Sequence, residues 1–242
     1  MNLYWLIEKP IAHRGFHRND DQIPENSMIA FEQAIKHGFP IELDLHLSKD
    51  GKVMVFHDST LKRMTGEEGK ITDFTAEQLQ QYMLLGSNYS IPLLAEVLEV
   101  VNGKVPLLIE LKNSNPVGVL EEKVLLLLQS YQGLYAIQSF DPFTLEWFYH
   151  QAPWIPRGQL ACNMESSQLL PFEKYMLQNL GFNYKTKPDF ISYGIVDLPY
   201  WAVDQAKAKG LPILGWTARN KESFEQARQY CDNIIFEGFL PS

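Results

Sequence analysis

Short aliphatic runs alternate with amphipathic stretches along most of the chain. Eight runs have the length and apolar content of buried strands, and they cover residues 11–13, 41–45, 105–111, 134–138, 157–161, 189–192, 211–216 and 233–236. Seven stretches carry apolar residues at helical spacing, and they cover residues 26–37, 93–101, 117–131, 142–151, 167–180, 199–209 and 222–230. Strands that alternate with helices predict an α/β fold, and eight of them suggest a (β/α)8 TIM barrel.

One segment interrupts this repeat. Ser48-Lys49-Asp50-Gly51 is typical of a turn, and residues 53–56 are typical of a strand returning beside the second one, so a hairpin is predicted. The segment that follows, roughly residues 59–90, contains three glycines and a possible helix near residues 75–84. We interpret it as a small insertion over the barrel mouth, within a single domain that spans residues 1–242.

The composition of the chain mainly excludes classes of function. The chain has 242 residues, a net charge of -8 and 45% hydrophobic residues, enough for one well-buried domain. This acidic balance argues against nucleic acid as a partner, because phosphate backbones require a basic surface. A local pocket for one phosphate is still compatible with it.

Cellular location is predicted from features that the sequence lacks. The two cysteines have no metal-type spacing, and the first seven residues have no signal-peptide pattern. No apolar run approaches the roughly 20 residues that a membrane-spanning helix needs. We therefore expect a cytoplasmic protein without stable membrane insertion.

Acidic residues alternate with aliphatic ones in two of the predicted strands. Glu42 and Asp44 share one face of the second strand, and Glu110 shares a face of the third with Lys112. Like charges on one face repel unless a cation lies between them, and oxygen ligands favour Mg²⁺ or Ca²⁺ over Zn²⁺. The hairpin is expected to bring His57 back beside Glu42 and Asp44.

Polar and aromatic residues also follow the other predicted strands. In a barrel, the carboxyl ends of the strands form the active site. The residues expected at this end are His13 and Arg14 after the first strand, Gln138 and Ser139 after the fourth, then Tyr193, Trp216 and Glu237. Together these residues favour a metal-assisted cleavage of a phosphodiester.

Eight short motifs carry a resemblance to a known family. They are HRGF at residues 13–16, PENS at 24–27, ELD at 42–44, KDG at 49–51, HD at 57–58, IELK at 109–112, SF at 139–140 and GWT at 215–217. In this order and spacing they resemble the glycerophosphodiester phosphodiesterase family, in its bacterial, single-domain form. The resemblance covers nearly the whole chain.

The resemblance implies a barrel enzyme of lipid and glycerol metabolism. Its expected substrate is a small glycerophosphodiester, cleaved to sn-glycerol 3-phosphate and an alcohol with one divalent cation, Mg²⁺ or Ca²⁺. By position it implies Glu42, Asp44 and Glu110 as metal ligands and His13 and His57 as general acid and base. It also implies phosphate or substrate binding by Arg14, Lys112 and Trp216.

The resemblance also implies a route and shows two departures. In the implied route the glycerol 2-hydroxyl attacks phosphorus, water opens the cyclic phosphate, and the two histidines exchange roles. After Trp216-Thr217 the family usually has an aliphatic residue and then Asn, whereas this chain has Ala218-Arg219-Asn220. Many members end the last strand in Thr-Asp, whereas this chain has Phe236-Glu237. Glu237 is expected either to substitute with a longer reach or to form a salt bridge at the rim.

Other functions stay open at this point. A lysophospholipase D type of phosphodiesterase requires an apolar groove for an acyl chain. Residues 82–85 in the insertion could supply this groove. The simpler interpretation is that they belong to the core of a helix. A non-catalytic phosphate-binding barrel is a third possibility. Glycoside hydrolysis is weaker, because its two carboxylates must flank a sugar, whereas Glu42 and Asp44 lie side by side.

Several residues have structural interpretations as well. Glu110 and Lys112 could form a salt bridge within the barrel, and residues 25–27 could begin the first helix, with Asn26 or Ser27 as its cap. His46 could be a fourth ligand, but we expect a peripheral role because it follows the predicted strand. Three histidines, His17, His37 and His150, are expected on the surface. Both cysteines, Cys162 and Cys231, are expected to be buried.

Overall fold

The structure is a computed structural model that describes residues 3–18, 22–112, 116–165 and 169–241. Within these residues the strands are β1 (Ile11–Ala12), β2 (Ile41–Leu47), β3 (Val53–Val55), β4 (Leu107–Leu111), β5 (Tyr135–Ser139), β6 (Arg157–Ala161), β7 (Phe190–Gly194), β8 (Ile213–Ala218) and β9 (Asn233–Phe236). All eight strands predicted from the sequence are present, and β3 is the predicted return strand of the hairpin.

Helices separate most of the strands. In the part of the chain that the structure describes they are α1 (Trp5–Glu8), α2 (Met28–His37), α3 (Lys62–Thr65), α4 (Ala76–Leu79), α5 (Leu94–Val101), α6 (Val119–Leu128), α7 (Pro142–Gln151), α8 (Pro171–Gln178), α9 (Asn183–Thr186), α10 (Trp201–Ala208) and α11 (Lys221–Ala227). The helix predicted over residues 167–180 is shorter, because Pro171 is its first residue and Leu170 before it is extended. Ser167 lies outside the described residues.

The chain divides into two compact units, one of residues 12–135 and one of residues 1–11 with 136–242. We describe each by itself. In the second unit, β5 to β9 form parallel pairs in sequence order, and helices connect successive strands. The Asn233 side chain on β9 donates hydrogen bonds to the carbonyls of Leu6 and Lys9, which attaches the amino-terminal segment to this unit. The prediction of one domain over residues 1–242 stays a prediction.

In the unit of residues 12–135, β2 is the central strand. It pairs in parallel with β4 and with Ala12 of β1, and it pairs antiparallel with β3. All seven residues of β2 are buried, so the polar side chains that alternate with its aliphatic ones are buried as well. The register places Asp44 opposite Glu110 and Glu42 opposite Leu108. Glu110 of β4 therefore lies beside the two acids that share a face of β2.

The insertion shares an apolar core with the neighbouring residues Met54, Phe56 and Ile91. Nine buried residues pack together, and they are Met54, Phe56, Leu61, Met64, Ile71, Ala76, Leu79, Leu84 and Ile91. Two hydrogen bonds join the insertion to the turn of the hairpin, from the Lys49 amide to the Phe74 carbonyl and from the Ala76 amide to Asp50 Oδ1. The insertion is thus packed onto the strands that carry the acidic residues.

The helix predicted near residues 75–84 is only partly present. Thr75 caps α4 by accepting from the Gln78 amide, but the helix ends at Leu79. A short 3₁₀ turn follows at Leu84–Gly86, in which Leu85 has a positive φ of 50° that no helix accommodates. Residues 82–85 are therefore not part of the predicted helix. Leu84 is buried in the core and Tyr82 packs against it, whereas Met83 and Leu85 are each 45% exposed.

Gly15 allows a close approach between the turn after β1 and the helix α2. Its φ is +82°, and a Cβ atom built there would lie 2.9 Å from the Cβ and the carbonyl carbon of Ala30. The Phe16 amide also donates to the Ala30 carbonyl at 2.9 Å. A side chain at position 15 would push the turn that carries His13 and Arg14 away from α2.

We expect Gly15→Ala to reduce the free energy of unfolding more than Gly66→Ala does. Both alanines adopt a positive φ, which costs about 1–2 kcal/mol. Gly66 has φ +80°, and a Cβ atom added there would meet no atom within 4 Å, so it isolates that backbone cost. Overlap with Ala30 adds about 1–3 kcal/mol at Gly15 alone. Urea unfolding measures the difference, and equal losses in the two variants would contradict the close approach.

Candidate active site

Three buried carboxylates meet on the inner faces of β2 and β4. Glu42, Asp44 and Glu110 each offer one oxygen atom, and these atoms lie within 4.8 Å of one another. The side chains lie at the predicted strand positions, because residues i and i+2 of a strand point the same way and Asp44 is in register with Glu110. The predicted cluster of acids is present.

The turn after β1 holds Glu42. The Arg14 amide donates to Glu42 Oε2 at 3.0 Å, and His13 Nε2 lies 4.0 Å from the same oxygen. The Gly15 amide donates to the Glu42 carbonyl at 3.2 Å. Arg14 makes its contact with a φ of 53°, so the turn is bent tightly around the Glu42 carboxylate.

Asp44 is the most heavily contacted of the three acids. Asn26 Nδ2 donates to Asp44 Oδ2 at 2.8 Å, and Arg14 Nε lies 3.3 Å from that oxygen. Lys112 Nζ lies 3.0 Å from Asp44 Oδ1 and also forms an ion pair with Glu110. The two cations predicted to bind phosphate therefore both contact the acidic cluster.

Electrostatics divides the three acids. Burial, together with the charges of Asp44 and Glu110, raises the pKa of Glu42 well above its usual range. Burial raises the pKa of Glu110 to about 7, against the opposing effect of Lys112. Burial acts in the same direction on Asp44, but the positive charges of Lys112, His57 and Arg14 outweigh it and lower the pKa of Asp44. The cluster is short of positive charge at Glu42 and Glu110.

The hairpin returns His57 to this cluster as predicted. The Phe56 amide donates to the Asp44 carbonyl at 2.9 Å, so the chain reaches His57 directly after a residue that is bonded to the middle of β2. His57 Nδ1 lies 2.7 Å from Asp58 Oδ1. Burial, with the nearby charges of Lys112 and Arg14, lowers the pKa of His57 to about 4 despite the charge of Asp44.

His46 is not peripheral, contrary to the expectation from the sequence. β2 continues to Leu47, so His46 lies within the strand, where it is buried, and not beyond its end. His46 Nε2 lies 3.0 Å from the His57 carbonyl oxygen. It contacts the main chain of the residue that the resemblance identifies as a general acid or base.

Further ion pairs connect the turn after β1, the segment before α2 and the insertion. Glu25 Oε1 accepts from Arg14 at 2.6 Å and from Arg63 at 2.7 Å. Arg63 also donates to Asp58 at 2.6 Å and 2.9 Å. Ser27 caps α2 by accepting from the Ala30 amide. Of residues 25–27, Ser27 has the expected capping role, whereas Glu25 and Asn26 contact the predicted site residues.

Sequence reasoning missed Arg63 and the contacts of Glu25 and Asn26. The PENS motif marks the latter two, but it does not indicate which residues they contact. Arg63 lies in the insertion, and the one feature of the sequence that links it to the site is its short distance from His57-Asp58.

Trp216 and Glu237 belong to the other unit. Trp216 lies on β8 and contacts Phe140 edge to face, with 5.5 Å between ring centroids. Glu237 follows β9 and forms an ion pair with Arg219 at 2.7 Å, which matches the expected salt bridge. Substrate binding by Trp216 stays a prediction.

Two of the minor expectations are wrong. His17 is buried and not on the surface, and Cys162 is half-exposed and not buried. His37 and His150 are both exposed, as expected, and the His37 ring lies 4.9 Å from the Phe16 ring. Cys231 is buried.

Comparison with known proteins identifies a family for this chain. The family model described as the glycerophosphoryl diester phosphodiesterase family matches residues 13–236. A glycerophosphodiester phosphodiesterase of Caldanaerobacter subterraneus subsp. tengcongensis is 32% identical over 231 residues, which are 89% of this chain and 88% of the relative. A lysophospholipase D of Homo sapiens is 36% identical over 139 residues, which are 52% of this chain and 43% of the relative.

A solved structure shows the same fold. The phosphodiesterase of Oleispira antarctica, in complex with the product sn-glycerol-3-phosphate, has a TM-score of 0.81 at 24% identity, covering 97% of this chain and 94% of that one. This likeness confirms the prediction of a (β/α)8 barrel. A search of the described residues for membrane-spanning helices finds none of sufficient length and apolar character.

We expect Asn26→Ala to destabilise the protein more than Asn102→Ala. Both residues have a positive φ, of 53° and 43°, so both alanines carry the same backbone cost. Only Asn26 also donates to a buried carboxylate, and such a bond contributes about 1.5–3 kcal/mol. Chemical unfolding of the two variants compares them directly. Equal destabilisation would show that the Asn26 amide does not stabilise Asp44.

Proposed function

Because the chain belongs to the glycerophosphoryl diester phosphodiesterase family, a family of phosphoric diester hydrolases, we propose that it hydrolyses glycerophosphodiesters to sn-glycerol 3-phosphate and an alcohol. One observation carries the proposal: His13, His57 and three buried carboxylates meet on adjacent elements of one compact unit. The product complex of the Oleispira antarctica phosphodiesterase supports the choice of substrate class. A cytoplasmic location stays a prediction.

The proposed site fits one divalent cation. The carboxylates of Glu42, Asp44 and Glu110 supply oxygen ligands only, which is the donor set that Mg²⁺ and Ca²⁺ prefer. The raised pKa values of Glu42 and Glu110 mark the two oxygen donors whose ionised form the nearby cations compensate only in part. We propose that these three residues hold the cation.

The charges of the site support the same proposal. Three ionised carboxylates oppose the two positive charges of Arg14 and Lys112, which leaves one negative charge in contact range. A divalent cation would change the balance to one positive charge, which complements the single negative charge of a phosphodiester. Bound there, the cation would supply Lewis-acid stabilisation of the charge that grows on the phosphoryl oxygens.

The histidines are proposed to move the protons. Asp58 accepts at Nδ1 of His57, so that this nitrogen keeps its proton and Nε2 is left for proton transfer. His13 lies in the turn after β1, with Nε2 4.0 Å from Glu42 Oε2. We propose that one imidazole takes the proton of the attacking hydroxyl while the other protonates the leaving alcohol, and that the two roles exchange when water opens the cyclic phosphate.

Arg14 and Lys112 are proposed to hold the phosphate. Their present partners are carboxylates of the cluster, so each is already fixed at the site by an ion pair. A cation that is fixed before the substrate arrives loses little side-chain entropy on binding phosphate. This preorganisation stabilises developing negative charge without further rearrangement.

Lysophospholipase D activity is the second candidate. The likeness to the human lysophospholipase D and the exposed Met83 and Leu85 favour it. These two side chains lie on the insertion and are available for contact with an acyl chain. Substrate comparison separates the two functions, because only the second requires an acylated diester.

We expect wild-type protein to release sn-glycerol 3-phosphate from glycerophosphocholine. His13→Asn and His57→Asn should each lower the rate by about 10²- to 10⁴-fold, the usual contribution of one acid or base. His150→Asn is the matched control, because this histidine is exposed on α7. An enzyme-coupled assay of glycerol 3-phosphate measures all four proteins.

Three outcomes of this assay would change the conclusion. Full activity in both histidine variants would contradict the two-histidine proposal. Release of choline from lysophosphatidylcholine, measured by a coupled choline assay, without release of glycerol 3-phosphate from glycerophosphocholine would replace the main proposal with the lysophospholipase D function. No release from either substrate by folded protein would overturn both.

Divalent cations should stabilise the protein through the acidic cluster. At a concentration of 100 times the dissociation constant, Mg²⁺ or Ca²⁺ is expected to add about 2.7 kcal/mol to the free energy of unfolding. Glu42→Gln should abolish most of this gain, whereas Glu99→Gln, at an exposed position of α5, should keep it. Thermal unfolding with cation or chelator provides the measurement. An equal gain in all three proteins would place the cation elsewhere.

A further inference from the structure

Arg63 is a charged residue to which the proposed chemistry assigns no role. It lies on α3 inside the insertion, and it donates four hydrogen bonds to carboxylates, two to Glu25 and two to Asp58. We infer that Arg63 is a positioning residue, which holds His57 through Asp58 and Arg14 through Glu25. The inference rests on the proposed function, because it concerns the same site.

The contact with Asp58 fixes the orientation of the His57 ring. Arg63 Nε donates to Asp58 Oδ2 at 2.6 Å, and Arg63 Nη2 donates to Oδ1 at 2.9 Å. Asp58 Oδ1 is also the oxygen that lies 2.7 Å from His57 Nδ1. Because both oxygens of Asp58 are bound by Arg63, the carboxylate cannot rotate away from the imidazole without breaking a two-point contact.

The contact with Glu25 fixes the guanidinium of Arg14. Arg63 Nη1 donates to Glu25 Oε2 at 2.9 Å, and Arg63 Nη2 donates to Oε1 at 2.7 Å. Glu25 Oε1 also accepts from Arg14 Nη1 at 2.6 Å. Glu25 is buried, so the two arginines determine the position of its carboxylate and water has little access to it. The Arg14 guanidinium in turn lies 3.3 Å from Asp44.

The shape of the guanidinium is necessary for this arrangement. A planar fork with several N–H groups is able to bind two carboxylates at two oxygens each, whereas an ammonium group is a single point charge. Arg14 is shared between Glu25 and Asp44, so loss of Arg63 removes one of the two arginines that contact Glu25 and the arginine that contacts Asp58. Arg63→Lys keeps the charge and loses the fork, which separates these two contributions.

A purely structural role for Arg63 makes different predictions. Its neighbour Met64 is buried in the core of the insertion, and Arg63 Nη1 lies 3.1 Å from the Met64 sulfur. If Arg63 only anchors the insertion, its variants lose stability but keep the kcat of the fraction that is folded. If it positions His57 and Arg14, the folded enzyme itself becomes slower.

The test is steady-state kinetics of wild type, Arg63→Met, Arg63→Lys and Lys62→Met on glycerophosphocholine, below the unfolding temperature of each protein. Loss of a residue that orients another typically costs about 10- to 100-fold, and we expect that loss in kcat for Arg63→Met. Arg63→Lys should be intermediate. Lys62 is the matched control, because it lies on the same helix and pairs with exposed Glu68.

A double-mutant cycle identifies the route of the effect. Asp58→Asn should lower kcat by itself, and the double variant with Arg63→Met should lose less than the product of the two single effects, because both changes disturb one contact. A fully multiplicative loss would contradict action through Asp58. Unchanged kcat in folded Arg63→Met would overturn the inference.

An NMR measurement keeps the inference separate from the proposed function. In wild-type protein, ¹⁵N-labelled imidazoles should show His57 with its proton at Nδ1, and Arg63→Met should populate the Nε2–H form. If wild type releases no product, the proposed function fails while this comparison still tests Arg63. An unchanged His57 tautomer in Arg63→Met would then contradict positioning through Asp58.

Discussion

The packing of like charge against like charge on β2 and β4 is the constraint around which this half of the chain is organised. Asp44 is buried opposite Glu110 and two residues from Glu42, where water screens none of the repulsion. A buried charge that loses its partner is strongly destabilising. Arg14 and Lys112 supply the compensation, and each lies next to an acid that the sheet has already placed.

That constraint explains why separate segments meet at one point. The turn after β1 supplies a main-chain donor to Glu42, and the segment before α2 supplies the Asn26 amide to Asp44. The hairpin returns the chain so that the Phe56 amide bonds the Asp44 carbonyl and His57 follows. Each segment satisfies one polar group of the cluster, and the turn and the hairpin also carry residues with a proposed role in phosphodiester cleavage. Stability and chemistry thus depend on the same contacts.

The sequence predicted the strands and the acidic cluster because both follow from local rules. Alternation in β2 determines which acids share a face, and burial of the whole strand places those acids away from water. Apart from the ion pair between Glu110 and Lys112, the sequence did not predict the partners of those acids. Arg63 and Glu25 meet through a contact between distant segments, and no periodicity reports it. The prediction placed His46 beyond the end of the second strand, whereas β2 extends to Leu47. Alternation of aliphatic and polar residues does not by itself indicate where a strand ends.

The most direct test of the account is a crystal structure grown with Mn²⁺ and sn-glycerol 3-phosphate, with anomalous scattering used to locate the ion. The account predicts one anomalous peak bound by an oxygen from each of Glu42, Asp44 and Glu110, with the phosphate of the ligand between that peak and the side chains of Arg14 and Lys112. A peak bound by other residues, or a phosphate distant from His13 and His57, would contradict it.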